Sequence, residues 1–314
     1  YLQGGKHLFL DEVHKYPTWS KELKEIYDLY PSMQIVFSGS SLLNILNADA
    51  DLSRRCLPYN MYGLSFREFL MFYKNIRIPV ASLEEVLKNA GEICQGINEQ
   101  CRPVQMFNEY LHDGYYPFFT GNREDYYMNI ENVVNFILEQ EMPLLCGVDP
   151  AYVRKLKALL SILASSVPYE VDITKLAGII GLTRNSVITY LQNLDRAELL
   201  KLLYSDLTSV KKMQKPDKIY LQNPNLLYAI ASTSVQIGTA RETFVMSQLS
   251  VNHEIEYGKA QGDFVVDHKY TFEVGGADKT FKQIADLPNS FILADNIEYA
   301  TGKKLPLWIV GLTY

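Results

Sequence analysis

The order of apolar and polar positions divides the chain into segments of different period. His7-Leu8-Phe9-Leu10 is a short apolar run closed by Asp11-Glu12, the pattern of a buried parallel strand. Thr18-Trp19-Ser20 opens a helix that sets Trp19, Leu23, Ile26, Tyr27 and Tyr30 on one face, and Pro31 stops it. Gln34-Ile35-Val36-Phe37 then predicts a second strand, running into Ser38-Gly39-Ser40-Ser41. Strand, helix and strand within about 30 residues make a βαβ unit. Its two acids stand at a strand's C-terminal end, where open α/β sheets bind ligands.

From about residue 66 to 150 the period is helical. Phe66, Phe69, Leu70 and Tyr73 make one stripe; Leu83, Val86 and Leu87 make another, opened by Ser82 with Glu84 and Glu85 in the first turn. Asp113-Gly114-Tyr115-Tyr116-Pro117 reads as an aromatic turn, with His112 and Asp113 in a loop beside it. Tyr126 to Glu141 reads as a helix with Ile130, Val133, Val134 and Ile137 inward. A further helix covers Tyr152 to Leu163. Two short helices follow, Ile173 onward and Arg184 onward, joined by a tight turn at Gly181 and capped by Thr183, with Ala177 and Gly178 small enough for close packing. With strands at Leu199 to Tyr204 and Lys218 to Leu221 this predicts a winged helix. Beyond residue 239 the pattern changes again. A helix carries Glu242, Phe264 to Val266 and Tyr270 to Val274 form a hairpin, a helix holds Phe281 and Ile284, and Ser290 to Ala294 and Leu307 to Val310 read as strands.

Composition narrows the classes. With 314 residues, 47% hydrophobic and 21% charged, the chain has apolar surface enough for two or three folded domains. Its net charge of −6 excludes a bulk polycation, so nucleic-acid contact requires a local patch. No apolar run of about 18 residues spans a membrane. Cys56, Cys94, Cys101 and Cys146 show no C-x-x-C spacing, which fits free thiols in a reducing cytoplasm. The chain starts without Met, directly before a strand-like run, as expected of a chain cut inside a domain.

The first segment suggests phosphoryl-transfer chemistry. An acid at a strand end holds Mg²⁺ through its water shell, the next acid polarises water, and a polar residue on the neighbouring strand senses the γ-phosphate. Asp11 takes the metal role, Glu12 the base role, and Ser38 or Ser40 the sensor role, against the plainer reading of a strand ending at a solvated turn. Leu8-Phe9-Leu10-Asp11-Glu12-Val13-His14-Lys15-Tyr16-Pro17 resembles the Walker B region of bacterial and archaeal AAA-type ATPases that carry a fused restriction-endonuclease-like C-terminal domain. Ile35 to Ser41 resembles their sensor strand, and Ala50 to Arg55 with Gly63 to Phe69 resembles their post-sensor segment. The resemblance implies a phosphate-facing arginine, with Arg54 or Arg55 the matching candidates, against surface solvation or a phosphate-independent salt bridge. It also implies ATP and Mg²⁺ as cofactors of the intact protein. The motif G-x-x-x-x-G-K-[ST] is absent from the 314 residues, and Gly4-Gly5-Lys6 leads into a strand instead of a helix. A phosphate loop must turn into a helix N-terminus so that backbone N–H groups surround the phosphates. Neither ATP nor Mg²⁺ is therefore expected to bind this chain tightly.

The helix at Arg184 offers Arg184, Asn185, Ser186, Thr189 and Gln192 to a major groove, and Lys211, Lys212, Lys215 and Lys218 follow. Five lysines from Lys201 to Lys218 stand against Asp206 and Asp217, which motivates duplex DNA as a partner; an interdomain spacer or protein dock remains the alternative. The last segment resembles the PD-(D/E)XK nuclease core. That resemblance assigns Glu242, Asp263 and Glu273 to a metal site and a lysine to position 275, where Gly275 stands. Lys279 or Lys282 could reach in from the following helix, and three unrelated surface acids are the plainer reading. The expectation is a mixed α/β and α multidomain chain: partial P-loop ATPase α/β core (1–73), helical lid (74–150), winged helix (151–232) and restriction-endonuclease-like α/β domain (233–314). Its nuclease-like part is read as having lost cleavage. A metal-dependent DNA nuclease and a winged-helix DNA-binding regulator are the alternatives, and a homo-oligomer or protein partner stays open.

Overall fold

The computed structural model describes residues 4–39, 52, 55–166, 169–170, 172–205, 215–231, 235–259 and 261–314. The chain forms two compact units, residues 1–61 with 136–153 and residues 62–135 with 154–314.

In the first unit β1 (His7–Leu10) and β2 (Gln34–Phe37) pair in parallel, with Leu10 opposite Phe37, and α1 (Trp19–Leu29) connects them. One face of this pair packs on Val13, Trp19, Leu23 and Leu52 through Leu10, Ile35 and Phe37. The apolar runs predicted burial on both faces. Among the described residues the other face stays open, with Phe9 73% and Val36 55% exposed. The reason is the strand period: alternate side chains point to opposite faces, and α1 covers one of them.

In the second unit α2 (Phe66–Lys74), α3 (Leu83–Asn98) and α4 (Pro103–Asp113) share one apolar core with the C-terminal residues. Capping boxes start α2 and α3: Ser65 Oγ accepts from the Glu68 N–H while the Glu68 carboxylate accepts from the Ser65 N–H, and Ser82 and Glu85 repeat the exchange. The stripe Phe66–Tyr73 packs within this unit. Its ring of Phe66 meets Phe107, Tyr110 and Trp308 at centroid distances of 5.6, 5.7 and 6.4 Å. In α5 (Arg123–Phe136) the buried positions are Tyr126, Ile130 and Val134, four apart; Val133, expected inward, is exposed. The predicted single helix to Glu141 ends as α5; the π-helical turn Ile137–Glu141 and α6 (Met142–Cys146) that follow belong to the first unit. His112 and Asp113 end α4 and are not in a loop; Asp113 is buried and takes both the Nε and the second nitrogen of Arg123 at 2.9 and 2.6 Å.

Next come α7 (Val153–Ser166), the two-residue strand β3 (Tyr169–Glu170), α8 (Ile173–Ile180), α9 (Arg184–Arg196), β4 (Leu200–Leu203) and β5 (Lys218–Leu221). The strands form an antiparallel sheet of order β3-β5-β4. Gly181 ends α8 at φ 66°, and Thr183 Oγ1 accepts from the Ser186 N–H at 3.1 Å to start α9, as the sequence predicts. Gly178 faces open space, so its smallness serves no packing contact; Ala177 is buried.

Asp195 of α9 accepts from the Leu202 N–H at 3.1 Å, and burial pushes its carboxyl up to about 6 from the ordinary 3.8, with Lys201 opposing. A carboxyl that ionises later in the folded chain than in the unfolded chain removes stability as pH rises. The cost is absent below about pH 4 and complete above about pH 6. Asp195→Asn, which keeps the acceptor oxygen, is expected to stabilise the second unit by about 2 kcal/mol at about pH 7.5 and by nothing near pH 4, read from urea denaturation at the two pH values.

After α10 (Pro224–Ala231), α11 (Ile237–Leu249) leads into a five-stranded sheet of order β10-β9-β8-β7-β6. Its strands are β6 (Ile255–Tyr257), β7 (Phe264–Val266), β8 (Tyr270–Gly275), β9 (Ser290–Ala294) and β10 (Lys304–Pro306). β6, β7 and β8 are an antiparallel meander, and β9 and β10 add in parallel. Two expectations change here. The helix around Phe281 is one 3-10 turn, Phe281–Gln283, and the strand at Leu307 to Val310 is a buried 3-10 segment, Leu307–Leu312. All four cysteines are free thiols, and no helix among the described residues is long and apolar enough to cross a membrane.

Candidate functional site

The βαβ order places Asp11 and Ser38 side by side just past the ends of β1 and β2. The Ser38 N–H donates to the Leu10 carbonyl at 2.9 Å and the Val13 N–H donates to the Ser38 carbonyl at 3.0 Å, which continues the pairing past the strands. The Ser38 hydroxyl donates to Asp11 Oδ1, and the Glu12 N–H donates to the same oxygen at 3.0 Å. Two donors thus fix an exposed carboxylate at the strand end. The adjoining Glu12 has φ 54°, a left-handed conformation uncommon outside glycine, and its carboxylate meets Lys15 at 3.1 Å. Strained backbone of this kind clusters at functional positions. The Mg²⁺ of a nucleotide needs one such acid, since phosphates and water supply its other ligands, so Asp11 fits that role. Arg55 is held by Asp28 of α1 at two points, Nε–Oδ1 and the second nitrogen to Oδ2, both 3.1 Å. The salt bridge foreseen as the alternative for this arginine is thus where the structure puts it. Arg54 and Ser40 lie outside the described residues.

In α9, Arg184 and Asn185 are exposed and Gln192 is half-buried. Lys215 is exposed, while Lys211 and Lys212 lie outside the described residues. Two of the five lysines that carried the local positive charge point inward: Lys201 pairs with Glu198 at 3.0 Å, and Lys218 is buried against Glu242. This reduces the outward charge that the sequence implied.

The three acids of the last segment come from α11 (Glu242), the residue before β7 (Asp263) and the middle of β8 (Glu273). Asp263 raises the proton affinity of both glutamates, so the three share one electrostatic environment. Burial pushes the carboxyl of Glu242 above the usual carboxylate range, with Asp263 adding to it and Lys218 opposing. Burial does the same at Glu273, where Lys279 opposes. Each acid already has partners. Glu242 Oε2 accepts from the Tyr220 hydroxyl at 2.7 Å and lies 3.5 Å from Lys218 Nζ; Asp263 Oδ2 accepts from the Val274 N–H at 2.8 Å; Glu273 Oε1 lies 2.5 Å from Lys279 Nζ. Among the described residues no three His, Cys, Asp or Glu side chains are placed to hold a metal ion. The set as arranged does not fit a resident divalent cation. The nuclease resemblance pointed to the three acids; it gave no sign that Lys218 and Tyr220 would join them.

Residues 1–70 match the family described as an AAA domain, and residues 104–236 match a domain of unknown function (DUF8612). The chain is thus AAA-like in its first segment, within a mixed α/β multidomain architecture. Uncharacterized protein MJ1637 of Methanocaldococcus jannaschii is 29% identical over 218 residues, 68% of this chain and 45% of that protein. Uncharacterized protein MJ1544 of the same organism is 25% identical over 213 residues, 64% of this chain and 44% of that protein. The chain spans less than half the length of these curated relatives. No solved structure matches it.

Proposed function

We propose that residues 1–61 supply the catalytic-acid and sensor strands of an ATP-hydrolysing core, and that the C-terminal sheet is nuclease-like in topology without metal-dependent cleavage. The observation that carries the first part is the hydrogen bond from Ser38 to Asp11 across the ends of two parallel strands. In that core Asp11 would hold the nucleotide's Mg²⁺, Glu12 would orient the attacking water, and Ser38 would couple the acid to the phosphate-sensing strand. The cation's role when bound is to neutralise charge on the transferred phosphoryl group. The second part is supported by the order α11, meander β6–β8, then parallel β9, with acids at three of the expected places.

The 314 residues contain no phosphate loop, so ATP is expected to produce no binding heat with this chain at micromolar concentration. In a chain that joins these residues behind a G-x-x-x-x-G-K-[ST] loop, ATP hydrolysis is expected, and Glu12→Gln is expected to lower kcat by about 10²–10⁴. Micromolar ATP binding by the 314-residue chain, or full hydrolysis by Glu12→Gln, would overturn the reading. Duplex DNA binding by α9 is the second reading, favoured by the exposure of Arg184 and Asn185 at the start of a capped helix and opposed by the inward turn of Lys201 and Lys218.

A further inference from the structure

The glycine at position 275 is not a simple loss. A Cβ built on Gly275 would lie 2.7 Å from Cδ, 2.8 Å from Cγ and 2.9 Å from Cβ of Lys279, closer than side-chain atoms tolerate. The stem of Lys279 therefore fills the space that a side chain at 275 would take, and its Nζ reaches Glu273 at 2.5 Å. Any larger residue at 275 would evict it. From the other side, Lys218 and Tyr220 leave β5 of the three-stranded sheet and enter the same centre. Lys218 is 7% exposed, with Nζ 4.7 Å from the Tyr257 ring centroid and 3.5 Å from Glu242; the Tyr220 hydroxyl bonds the same carboxylate oxygen. Two buried glutamates thus each meet one ammonium group, Glu242 that of the buried Lys218 and Glu273 that of the partly exposed Lys279, with Asp263 close enough to raise the proton affinity of both; acids buried without such partners are strongly unfavourable. A divalent cation would need the oxygens that these groups occupy and would be repelled by both. Among the described residues, Glu273 Oε2 is buried without a hydrogen-bond partner, so the charge of this carboxylate is met at Oε1 by Lys279.

We propose that the ammonium groups of Lys218 and Lys279 hold the place of a divalent cation, which makes the centre a metal-independent junction between β5 and the α11–β8 pair. The inference rests on the nuclease-like reading of the C-terminal sheet and not on the ATPase reading. It explains why the lysine is displaced by four residues and not simply lost: the buried Glu273 needs a counter-charge whether or not the site cleaves anything.

The test is thermal unfolding of the 314-residue chain with Mn²⁺ and with EDTA. Wild type is expected to melt at the same temperature in both, because nothing binds the native state selectively. Lys279→Met is expected to lower Tm by roughly 5–10 °C, and by less than half as much in a Glu273→Gln background, since the two groups act as a pair. The double variant Lys218→Met/Lys279→Met is expected to gain a Mn²⁺-dependent rise in Tm that wild type lacks. A wild-type rise in Mn²⁺ that Glu273→Gln abolishes overturns the junction, as does additivity of Lys279→Met with Glu273→Gln or a double variant that folds and ignores Mn²⁺. If the double variant does not fold, the wild-type titration and the Lys279/Glu273 cycle decide alone. Plasmid nicking by wild type with Mn²⁺ separates the two readings: Mn²⁺ binding without nicking overturns the junction only, and binding with Glu273-dependent nicking overturns the non-cleaving reading as well.

Discussion

Asn225→Leu is expected to unfold the second unit or leave it only marginally folded. Asn225 is fully buried at the second position of α10 and uses all of its hydrogen-bonding capacity. Its Oδ1 accepts from the Tyr115 N–H at 2.7 Å and from the Tyr126 hydroxyl at 2.6 Å, and its Nδ2 donates to the carbonyls of Tyr110 and Leu111 at 3.0 and 2.9 Å. It thereby ties α10 to the end of α4, the aromatic turn and α5. Leucine keeps the branched shape with bulkier methyl ends: four buried groups lose a partner that water cannot replace, and overpacking adds to the cost. The Tyr110 carbonyl keeps its bond from the Gly114 N–H at 2.9 Å, so three groups are left unsatisfied; at about 1–3 kcal/mol each, the sum is on the order of 3–9 kcal/mol. That is comparable to the whole stability of a typical domain. The two tryptophans make the measurement specific, because Trp19 is buried in the first unit and Trp308 in the second. In a Trp19→Phe background, urea denaturation followed by Trp308 fluorescence is expected to show the midpoint collapse. In a Trp308→Phe background the Trp19 signal is expected to move far less. A Trp308 midpoint within experimental error of the parent would show that the four bonds are dispensable.

Trp308→Ala is expected to cost about 3–5 kcal/mol, as for other large-to-small changes at fully buried aromatic positions. Trp308 is 1% exposed, packs against Phe66, and donates from Nε1 to the Ile297 carbonyl at 3.2 Å. Truncation opens a cavity and also orphans that carbonyl. Tm should fall by roughly 10 °C on the scale expected for a unit of this size, read by far-ultraviolet circular dichroism. Trp308→Phe, which fills most of the volume, should recover more than half of the loss.

Much of the local structure was legible because it depends on residues close in sequence. Ser82 with Glu85, Thr183 with Ser186 and Gly181 announce helix ends through chemistry contained in one turn. The hairpin of β7 and β8 was legible for the same reason: two short apolar runs stand either side of Asp267-His268-Lys269, and Asp267 and His268 take φ of 53° and 52°. The misread elements depend on distant partners. Leu307–Leu312 is apolar at nearly every position, and such a run looks alike whether it becomes a central strand or a 3-10 segment buried on all sides. The candidate sites divide in the same way. Asp11 and Ser38 were found because a parallel register follows from the βαβ pattern. The inward turn of Lys218, the replacement of position 275 by the stem of Lys279, and the fork of Arg55 onto Asp28 are set by which acids lie nearby in space. A lysine count cannot distinguish a solvated charge from one consumed by a buried glutamate.

The sharing of one core between α2–α4 and Leu307–Leu312 also sets a timetable for synthesis. Ser65 and Tyr314 are hydrogen-bonded across 249 positions, and the Ala81 N–H donates to the Leu312 carbonyl. A ribosome adding about 5–20 residues per second needs roughly 10–50 s to pass from one partner to the other. Throughout that interval the faces of Phe66, Phe69, Phe107 and Tyr110 have been made and their covering residues have not. Contacts this distant close slowly even in a finished chain. The nascent protein therefore carries an adhesive aromatic surface until Leu307–Leu312 emerges, and expression yield should depend on chaperone supply and growth temperature more steeply than the stability of the folded unit alone would suggest.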